Sequence, residues 1–265
     1  MLRAYAPHGK HNIINSMDTL KKKVAIITGG ASGLGLAAAR KFTEQGITTV
    51  VVGRDTTKLD DAARSLGAFC QPEAFDVTDL AKVPAFIQHV TRKYGFIDIL
   101  VNNAGINLKK PLIEVTDEEF QRIILTNVTS VFTMTREVAK VMLTENRGSI
   151  INISSMAAHY GLPGVVPYSA SKAAIEGMTR TLAVELSPQG IRVNCIAPGF
   201  IATKMSATAL DSDPERKRKV LSRTPMGKLG VPEDVAHVAY FLTTDESAFM
   251  TGTVIPVDGG NSIGF

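Results

Sequence analysis

The feature that most limits how this chain can fold is an alternation of short apolar, β-branched runs with longer amphipathic stretches. The first run covers residues 23–28, and the others lie at residues 48–52, 69–75, 97–101, 149–153, 192–196 and 253–257. The stretches between them are long enough for crossover helices, and right-handed crossovers between parallel strands place helices on both faces of a sheet. The pattern predicts an α/β chain: a single-domain, doubly wound Rossmann fold with a predominantly parallel seven-stranded sheet.

Length and composition agree with one such domain. The chain has 265 residues, of which 45% are hydrophobic and 20% charged, enough to bury a substantial core. We assign residues 21–265 to the Rossmann-fold domain and residues 1–20 to an N-terminal tail that we expect to be flexible. Because no acidic residue precedes Asp18, an organelle presequence is the alternative for this tail.

Charge, hydropathy and cysteine usage exclude several functions. The net charge of +4 is modest, and the basic cluster at residues 215–219 is typical of a solvated helix face, so we expect no nucleic-acid partner. No apolar run approaches the roughly 18 residues that span a bilayer, so we expect no membrane partner. Cys70 and Cys195 lie far apart in predicted strands. They predict buried reduced thiols, a cytoplasmic protein and no metal site.

A glycine-rich turn follows the first predicted strand. Its sequence is Gly29-Gly30-Ala31-Ser32-Gly33-Leu34-Gly35, and a helical stretch comes directly after it. Such a turn lets backbone N–H groups approach a pyrophosphate at a helix N-terminus. The spacing is Gly-x3-Gly-x-Gly rather than the commoner GxGxxG. Between a strand and a helix at the head of a βαβ unit, the turn predicts a dinucleotide site.

Tyr168 and Lys172 are the second chemical signal. Residues four apart share a helix face, so the Lys172 ammonium can lie beneath the phenol and favour its ionised form over an ordinary pKa of about 10. Such a tyrosine can exchange a proton near neutral pH. Ser155, thirteen residues earlier, adds a hydroxyl that can bind an oxygen. Together these three side chains indicate carbonyl–alcohol redox chemistry, although a Tyr-x3-Lys pair by itself also occurs by chance.

These motifs belong to an ordered set that resembles the short-chain dehydrogenase/reductase family from about Lys21 to the C-terminus. The set comprises Thr28-Gly29-x3-Gly33-x-Gly35, Asp76-Val77, Asn102-Asn103-Ala104-Gly105, Asn127, Ser155, Tyr168-x3-Lys172, Pro198-Gly199 and Pro256-Val257-Asp258-Gly259-Gly260. Each motif alone could be an ordinary turn or loop. Their joint order makes coincidence negligible.

The resemblance implies the catalytic residues. Ser155 would donate a hydrogen bond to the substrate oxygen, Tyr168 would act as general acid or base, and Lys172 would hold the ribose and stabilise the phenolate. Asn127 would anchor a water leading to Lys172, or it could merely cap a local helix irregularity. Ser154 is a rival of Ser155, but only Ser155 has the family's separation of thirteen residues from Tyr168.

The resemblance also implies the cofactor-binding residues. They are Gly29, Ser32, Gly33, Leu34, Gly35, Arg54, Asp76, Val77, Asn103, Ala104, Gly105, Tyr168, Lys172, Pro198, Gly199, Ile201 and Thr203. An acidic residue at the end of the second strand would bind the ribose 2′-OH, but Gly53 stands there. Arg54 follows it and could bind a 2′-phosphate, which favours NADP(H) over NAD(H) unless Arg54 pairs with Asp55.

The resemblance leaves the substrate open. Lys109-Lys110-Pro111 looks like a stretch of gluconate 5-dehydrogenase-like members, and cations there could attract the carboxylate of a keto-sugar acid such as 5-ketogluconate, although the stretch could equally be a solvated loop. The alternative is a 3-oxoacyl-acyl-carrier-protein reductase. Arg147 keeps one basic residue typical of those enzymes, and residues 187–190 lack the other. A steroid or other ketone reductase is also open.

Two further expectations come from the resemblance. Nucleotide-binding redox sensors of this fold usually lack the tyrosine or the lysine, so the presence of Tyr168 and Lys172 favours an enzyme acting on a small carbonyl or alcohol substrate. Family members are usually homotetramers. The helix at residues 168–186 has apolar side chains on more than one stripe, and we expect it to contact both its own sheet and a neighbouring copy.

Overall fold

Seven parallel strands form one sheet at the centre of the protein. The computed structural model describes residues 23–203 and 214–264. The strands are β1 (Val24–Thr28), β2 (Thr48–Gly53), β3 (Cys70–Ala74), β4 (Ile99–Asn102), β5 (Gly148–Ile153), β6 (Ile191–Pro198) and β7 (Val254–Val257). Their order is β3-β2-β1-β4-β5-β6-β7, and neighbouring strands are parallel. This confirms the predicted doubly wound Rossmann fold.

Helices cover both faces of the sheet. In the described part of the chain they are α1 (Gly33–Glu44), α2 (Thr56–Leu66), α3 (Val83–Tyr94), α4 (Asp117–Ile124), α5 (Ser130–Met142), α6 (Val166–Leu186), α7 (Pro214–Arg223) and α8 (Pro232–Phe241). Side chains of α3, α5 and α6 pack on one face, and those of α1, α2 and α8 pack on the other.

Strand β1 explains why its sequence is continuously apolar. Successive side chains of a strand point to opposite faces, and both faces of this sheet are covered by helices. Val24 and Ile26 therefore belong to one core cluster, and Ala25 and Ile27 belong to the other. Burial of such aliphatic side chains stabilises each face by about 1.5–3 kcal/mol per large residue.

The strand order reverses at β1. Strand β2 lies on one side of β1 and β4 on the other, so connections leave the sheet in opposite directions there. In open α/β sheets the crevice at such a switch point, beside the carboxyl ends of the strands, is where ligands bind. The glycine-rich turn after β1 and the segment after β4 both lie at this point.

Helix α6 buries only part of its apolar surface. Ile175, Ala183 and Leu186 face the core, whereas Val184 is 80% exposed. Ala173 is also exposed, and so is Phe249, which precedes β7. This distribution agrees with the expected second contact of α6, and the homotetramer stays a prediction. The predicted N-terminal tail, residues 1–20, lies outside the described residues.

Candidate active site

A cleft of about 510 Å³ opens beside the carboxyl ends of β1, β2, β3 and β4. Seven of the predicted cofactor residues line it: Gly29, Ser32, Arg54, Asp76, Val77, Ala104 and Gly105. It is also lined by residues that sequence reasoning does not identify, among them Lys58 on α2 and Arg122 on α4. Neither falls in a family motif. The only sequence signal for Lys58 is its position four residues after Arg54, on a predicted helix.

The glycine turn presents bare backbone to this cleft. Gly29 has φ +65° and Gly33 has φ +51°, values that favour glycine. A Cβ at Gly33 would meet no atom within 4 Å, so that position borders open space. A Cβ at Gly35 would instead overlap the Gly29 carbonyl oxygen. Helix α1 begins at Gly33 with Ser32 as its N-cap and no acidic residue in its first turn, an arrangement that fits a pyrophosphate.

Thr28 joins the ends of β1 and β4. Its hydroxyl oxygen accepts hydrogen bonds from the backbone N–H groups of Asn103 and Ala104, both at 3.0 Å. The Asn103 side-chain amide donates to the carbonyl oxygens of Thr28 at 3.0 Å and Gly29 at 3.2 Å. The predicted residue Asn103 therefore supports the glycine turn from behind, and Thr28 is a structural residue that the motif contains but sequence reasoning does not assign.

The charged end of the cleft lies after β2. Arg54 Nη1 is 3.6 Å from Asp76 Oδ2, and the Arg54 side chain is 73% exposed. Asp55 is not its partner, because the Asp55 carboxylate caps α2 by accepting from Lys58 N–H at 3.1 Å and binds Lys58 Nζ at 2.7 Å. The alternative that Asp55 neutralises Arg54 is therefore wrong.

Asp76 is held as an anion. Although partial burial alone would raise its pKa, hydrogen bonds from the Thr78 backbone and hydroxyl and the charge of Arg54 bring the pKa below its ordinary value. The neighbouring Val77 is buried and lines the cleft. This acidic group can accept a hydrogen bond from a ligand, and Arg54 is left as a weakly paired cation at the rim.

Ser155, Tyr168 and Lys172 come together at the ends of β5 and α6. Ser155 is the N-cap of a one-turn 3-10 helix, Met156–Ala158, and its Oγ accepts from Ala157 N–H at 3.2 Å. Tyr168 lies in the first turn of α6 and is half-buried. Lys172 is buried one turn further on, where its Nζ donates to the Ile153 carbonyl at 2.7 Å and lies 5.6 Å from the Tyr168 ring centroid.

Burial controls the pKa values of these groups. It raises the pKa of Tyr168, an effect that the hydrogen bond with Ser155 only partly opposes. Burial lowers the pKa of Lys172 to about 8. The sequence predicted that Lys172 lowers the pKa of the Tyr168 phenol, but the pKa is raised instead. The physical reason is that desolvation dominates at Tyr168 and that Lys172 Nζ is directed at a backbone carbonyl.

Asn127 lies in an irregular stretch between α4 and α5. Residues Leu125–Thr129 form a π-helix. The helix is therefore locally irregular at Asn127, as the alternative interpretation of this residue assumed. The Asn127 side chain accepts from Ile106 N–H at 2.9 Å and donates to the Ile106 carbonyl at 2.9 Å and to Ser171 Oγ at 3.0 Å. A Cβ at Gly105 would lie 3.3 Å from Asn127 Oδ1 and 3.6 Å from Lys172 Nζ, so these three residues converge.

The remaining predicted cofactor residues lie outside the lining of the cleft. Leu34, in the first turn of α1, packs on the core. Pro198 ends β6, and Gly199 follows with its N–H donating to the Val257 carbonyl at 2.9 Å. Ile201 is buried and bridges to Gly230, and Thr203 is the last described residue before the segment 204–213. Those ten positions lie outside the described residues.

The two cysteines are buried, as predicted. Burial raises the pKa of Cys70 to about 11 and that of Cys195 to about 12, so both thiols are protonated at neutral pH. No helix within residues 23–203 and 214–264 is long and apolar enough to cross a membrane.

Fold and cleft together define a dinucleotide-binding oxidoreductase of the Rossmann type. Residues 29–262 match a family model described as enoyl-(acyl carrier protein) reductase. The chain is 42% identical to a 3-oxoacyl-[acyl-carrier-protein] reductase of Thermotoga maritima, over 91% of this chain and 98% of that protein. It is 41% identical to a 3alpha-hydroxysteroid dehydrogenase of Mediterraneibacter gnavus, over 91% of this chain and 97% of the relative.

Solved structures give the same result. A proposed gluconate dehydrogenase from Agrobacterium tumefaciens superposes with a TM-score of 0.88 at 35% identity, covering 92% of this chain and 97% of that one. Levodione reductase superposes with a TM-score of 0.87 at 33% identity, covering 92% and 99%. The chain therefore belongs to the short-chain dehydrogenase/reductase family, and it is an oxidoreductase.

Burial of Lys172 generates a prediction about stability. Its pKa is about 8 when folded against 10.5 when free, so between pH 8 and 10.5 the unfolded chain binds the extra proton and stability rises with pH. Below pH 8 the full penalty is present, roughly 3 kcal/mol. After subtraction of about 1–2 kcal/mol for the lost hydrogen bond to Ile153, we expect Lys172→Met to stabilise the cofactor-free protein by about 1–2 kcal/mol at pH 7.

This gain should shrink as the pH rises from 8 to 10. Urea unfolding of the wild type and the variant at several pH values measures it. Lys228→Met is the control, because Lys228 is exposed. A gain that stays constant from pH 7 to 10 would show that Lys172 titrates like an ordinary lysine.

Proposed function

We propose that the protein interconverts a ketone and a secondary alcohol with NADP(H), using Tyr168 as general acid and base. The observation that carries the proposal is the meeting of Ser155, Tyr168 and Lys172 at the ends of β5 and α6, where the buried Lys172 Nζ lies 5.6 Å from the Tyr168 ring centroid. The glycine turn, Asn103 and Gly105 lie at the same end of the sheet and would hold the cofactor. When bound, the nicotinamide cofactor supplies or accepts the hydride.

In the direction of reduction, two hydroxyls act on the substrate oxygen. Ser155 would donate a hydrogen bond that orients the carbonyl, and the phenol of Tyr168 would donate its proton to the oxygen as negative charge develops there. The raised pKa of Tyr168 keeps the phenol protonated and ready to donate. In the direction of oxidation the same two groups run in reverse, with the phenolate as base.

Lys172 would supply the charge that the reaction needs. With a pKa of about 8 it is largely protonated at neutral pH and can release a proton easily. During the reaction, an ammonium beside the ring would stabilise the phenolate that forms when Tyr168 gives up its proton. Asn127, which converges on Lys172 at Gly105, would anchor the water through which the proton is replaced.

The first functional prediction concerns the proton donor. We expect Tyr168→Phe to lower kcat by about 10²–10⁴-fold, because it removes the general acid. Its affinity for NADPH should stay near that of the wild type, because the backbone of the glycine turn supplies much of the binding. Because the chain has no tryptophan whose quenching could be followed, binding is measured by the fluorescence of NADPH itself.

Two further variants sharpen this test. Lys172→Ala should lose both rate and cofactor affinity, because Lys172 would hold the ribose and stabilise the phenolate. Tyr240→Phe is the matched control, since Tyr240 contacts Gln45 on the far side of the molecule. If Tyr168→Phe kept the wild-type kcat, the proposed donor would be wrong.

The charges around Arg54 support NADP(H) as the cofactor. Gly53 leaves no carboxylate at the end of β2 to bind a 2′-OH, and Asp55 is occupied by Lys58 and the N-terminus of α2. Arg54 is loosely paired at 3.6 Å and mostly exposed, so it is free to make a charge-assisted bond to a 2′-phosphate. Lys58 lines the same cleft and adds a second positive charge.

The second functional prediction tests this choice. We expect Arg54→Ala to raise the KM for NADPH by about 10- to 150-fold, equivalent to the roughly 1.5–3 kcal/mol of one charge-assisted hydrogen bond. The KM for NADH should change by less than about threefold, because NADH lacks the 2′-phosphate. Initial rates with each cofactor measure both values. Equal effects on the two cofactors would contradict the assignment.

For the substrate we propose a small keto-acid, such as the keto-sugar acid 5-ketogluconate. Lys110 is neutralised by Glu119 at 3.0 Å, whereas Lys109 is exposed and makes no ion pair within the described residues. The loop that carries both lysines is tied to the segment before Tyr168, since Lys110 N–H donates to the Gly164 carbonyl at 2.8 Å. Lys109 is therefore the residue that could attract a substrate carboxylate.

The second candidate is a 3-oxoacyl group on a carrier protein, and the relative at 42% identity favours it. Two local features oppose it. Arg147 is held by Asp98 and Glu145 and lies 4.1 Å from the centroid of the Phe96 ring, so it is not free to dock an acidic partner. The turn Ser187–Gln189 carries no basic residue.

A comparison of substrates distinguishes these candidates. With NADPH, we expect faster reduction of 5-ketogluconate than of an acetoacetyl thioester or a steroid ketone. Lys109→Gln should lower kcat/KM for 5-ketogluconate by about two- to fivefold, because one exposed ion pair is lost, and should leave an uncharged ketone unaffected. Turnover of the thioester alone would favour the second candidate. Tight NADPH binding without turnover of any ketone would indicate a redox sensor.

A further inference from the structure

A buried polar cluster joins the turn that carries Ser155 to helix α6. It consists of Ser154, His159 and Glu176, and the proposed chemistry uses none of them. Ser154 is 2% and Glu176 is 7% exposed, and His159 closes the cluster on the solvent side. Buried polar groups are costly unless they are hydrogen-bonded, so the contacts of this cluster require a physical explanation.

Glu176 is the centre of the cluster. It lies four residues after Lys172 and therefore one turn along the same face of α6. Its Oε1 accepts a hydrogen bond from the Ser154 hydroxyl at 2.8 Å and another from His159 Nε2–H at 2.8 Å. The Ser154 hydroxyl also lies 3.1 Å from the Lys172 carbonyl oxygen. Within the described residues, Glu176 has no lysine or arginine in an ion pair with it.

These contacts hold both ends of the turn that carries Ser155. Ser154 immediately precedes Ser155, and His159 is the C-cap of the 3-10 turn that Ser155 begins. One carboxylate oxygen thus fastens the start and the end of this turn to α6, which carries Tyr168 and Lys172. Ser154 is buried and its hydroxyl is occupied by the same contacts, so it is not available to a substrate.

We propose that Glu176, acting through Ser154 and His159, is a positioning residue that fixes the Ser155 hydroxyl relative to Tyr168. The inference rests on the proposed function, because it concerns the alignment of two groups in that reaction. Displacement of a reacting side chain by about 1 Å can lower a rate by about 10²-fold. Contacts that hold the Ser155 turn in place should therefore have a measurable effect on kcat.

The experiment is a double-mutant cycle on kcat, with a ketone that the wild type reduces. We expect Glu176→Leu to lower kcat by about 10- to 100-fold and to leave the Kd for NADPH within about twofold. Glu176→Gln keeps an oxygen acceptor of the same reach and should retain kcat within about threefold. In a Ser155→Ala background, Glu176→Leu should lower kcat by less than about twofold, because its effect passes through Ser155.

Controls separate positioning from simple loss of stability. Glu185→Leu changes an exposed carboxylate on the same helix and should leave kcat unchanged. If Glu176→Leu does not fold, Ser154→Ala and His159→Phe each remove one of the two bonds. We expect each to lower kcat in the wild-type background and to have little effect in the Ser155→Ala background.

Several outcomes would overturn the inference. They are an unchanged kcat in Glu176→Leu, a Gln variant as slow as the Leu variant, or losses that add fully in the double variant. Tyr168→Phe is measured beside these variants. If Tyr168→Phe retained full activity, the proposed function would fail first, whereas its inactivity together with an unaffected Glu176→Leu would reject only the positioning role.

Discussion

The close approach of backbone between the end of β1 and the end of β4 is the constraint on which the rest of the site depends. Thr28 accepts two N–H groups from the segment after β4, and Asn103 returns its amide to the carbonyls of Thr28 and Gly29. Side chains at Gly29 or Gly35 would force these segments apart. Because the approach is this close, the N-terminus of α1 and the strand ends form one cleft at the switch point of the sheet.

Helix α6 provides the second fixed frame. Its first two turns carry Tyr168 and Lys172, and its third carries Glu176, so one rigid element supplies the proposed acid, the buried cation and the carboxylate that contacts both ends of the Ser155 turn. Burying Lys172 destabilises the fold, as its lowered pKa indicates. Proteins commonly accept such local costs where a functional group needs an altered proton affinity. Ile153, whose carbonyl accepts from Lys172, and Ile175 on the same helix are both buried beside it.

Substrate specificity is not determined by the part of the fold that the relatives share. Relatives that share the fold and about 40% of the sequence have names that refer to acyl-carrier-protein and steroid substrates. The frame is therefore compatible with several ketones, and the choice among them falls to loops at its rim. The loop that carries Lys109 and Lys110 is fastened to the segment before α6 through Gly164. In the proposed function, charge on this loop selects the substrate and does not alter the groups that would transfer the proton.

The sequence by itself determined the strands, their parallel arrangement and the glycine turn, because each depends on local periodicity or on a backbone shape that favours glycine. It also located Ser155, Tyr168 and Lys172, whose spacing places them at one end of the sheet. Only the tertiary structure decided that Arg54 pairs with Asp76 rather than Asp55, that burial raises the pKa of the Tyr168 phenol, and that Glu176 meets Ser154 and His159. These features depend on desolvation and on contacts between side chains far apart in the chain, which no local pattern encodes.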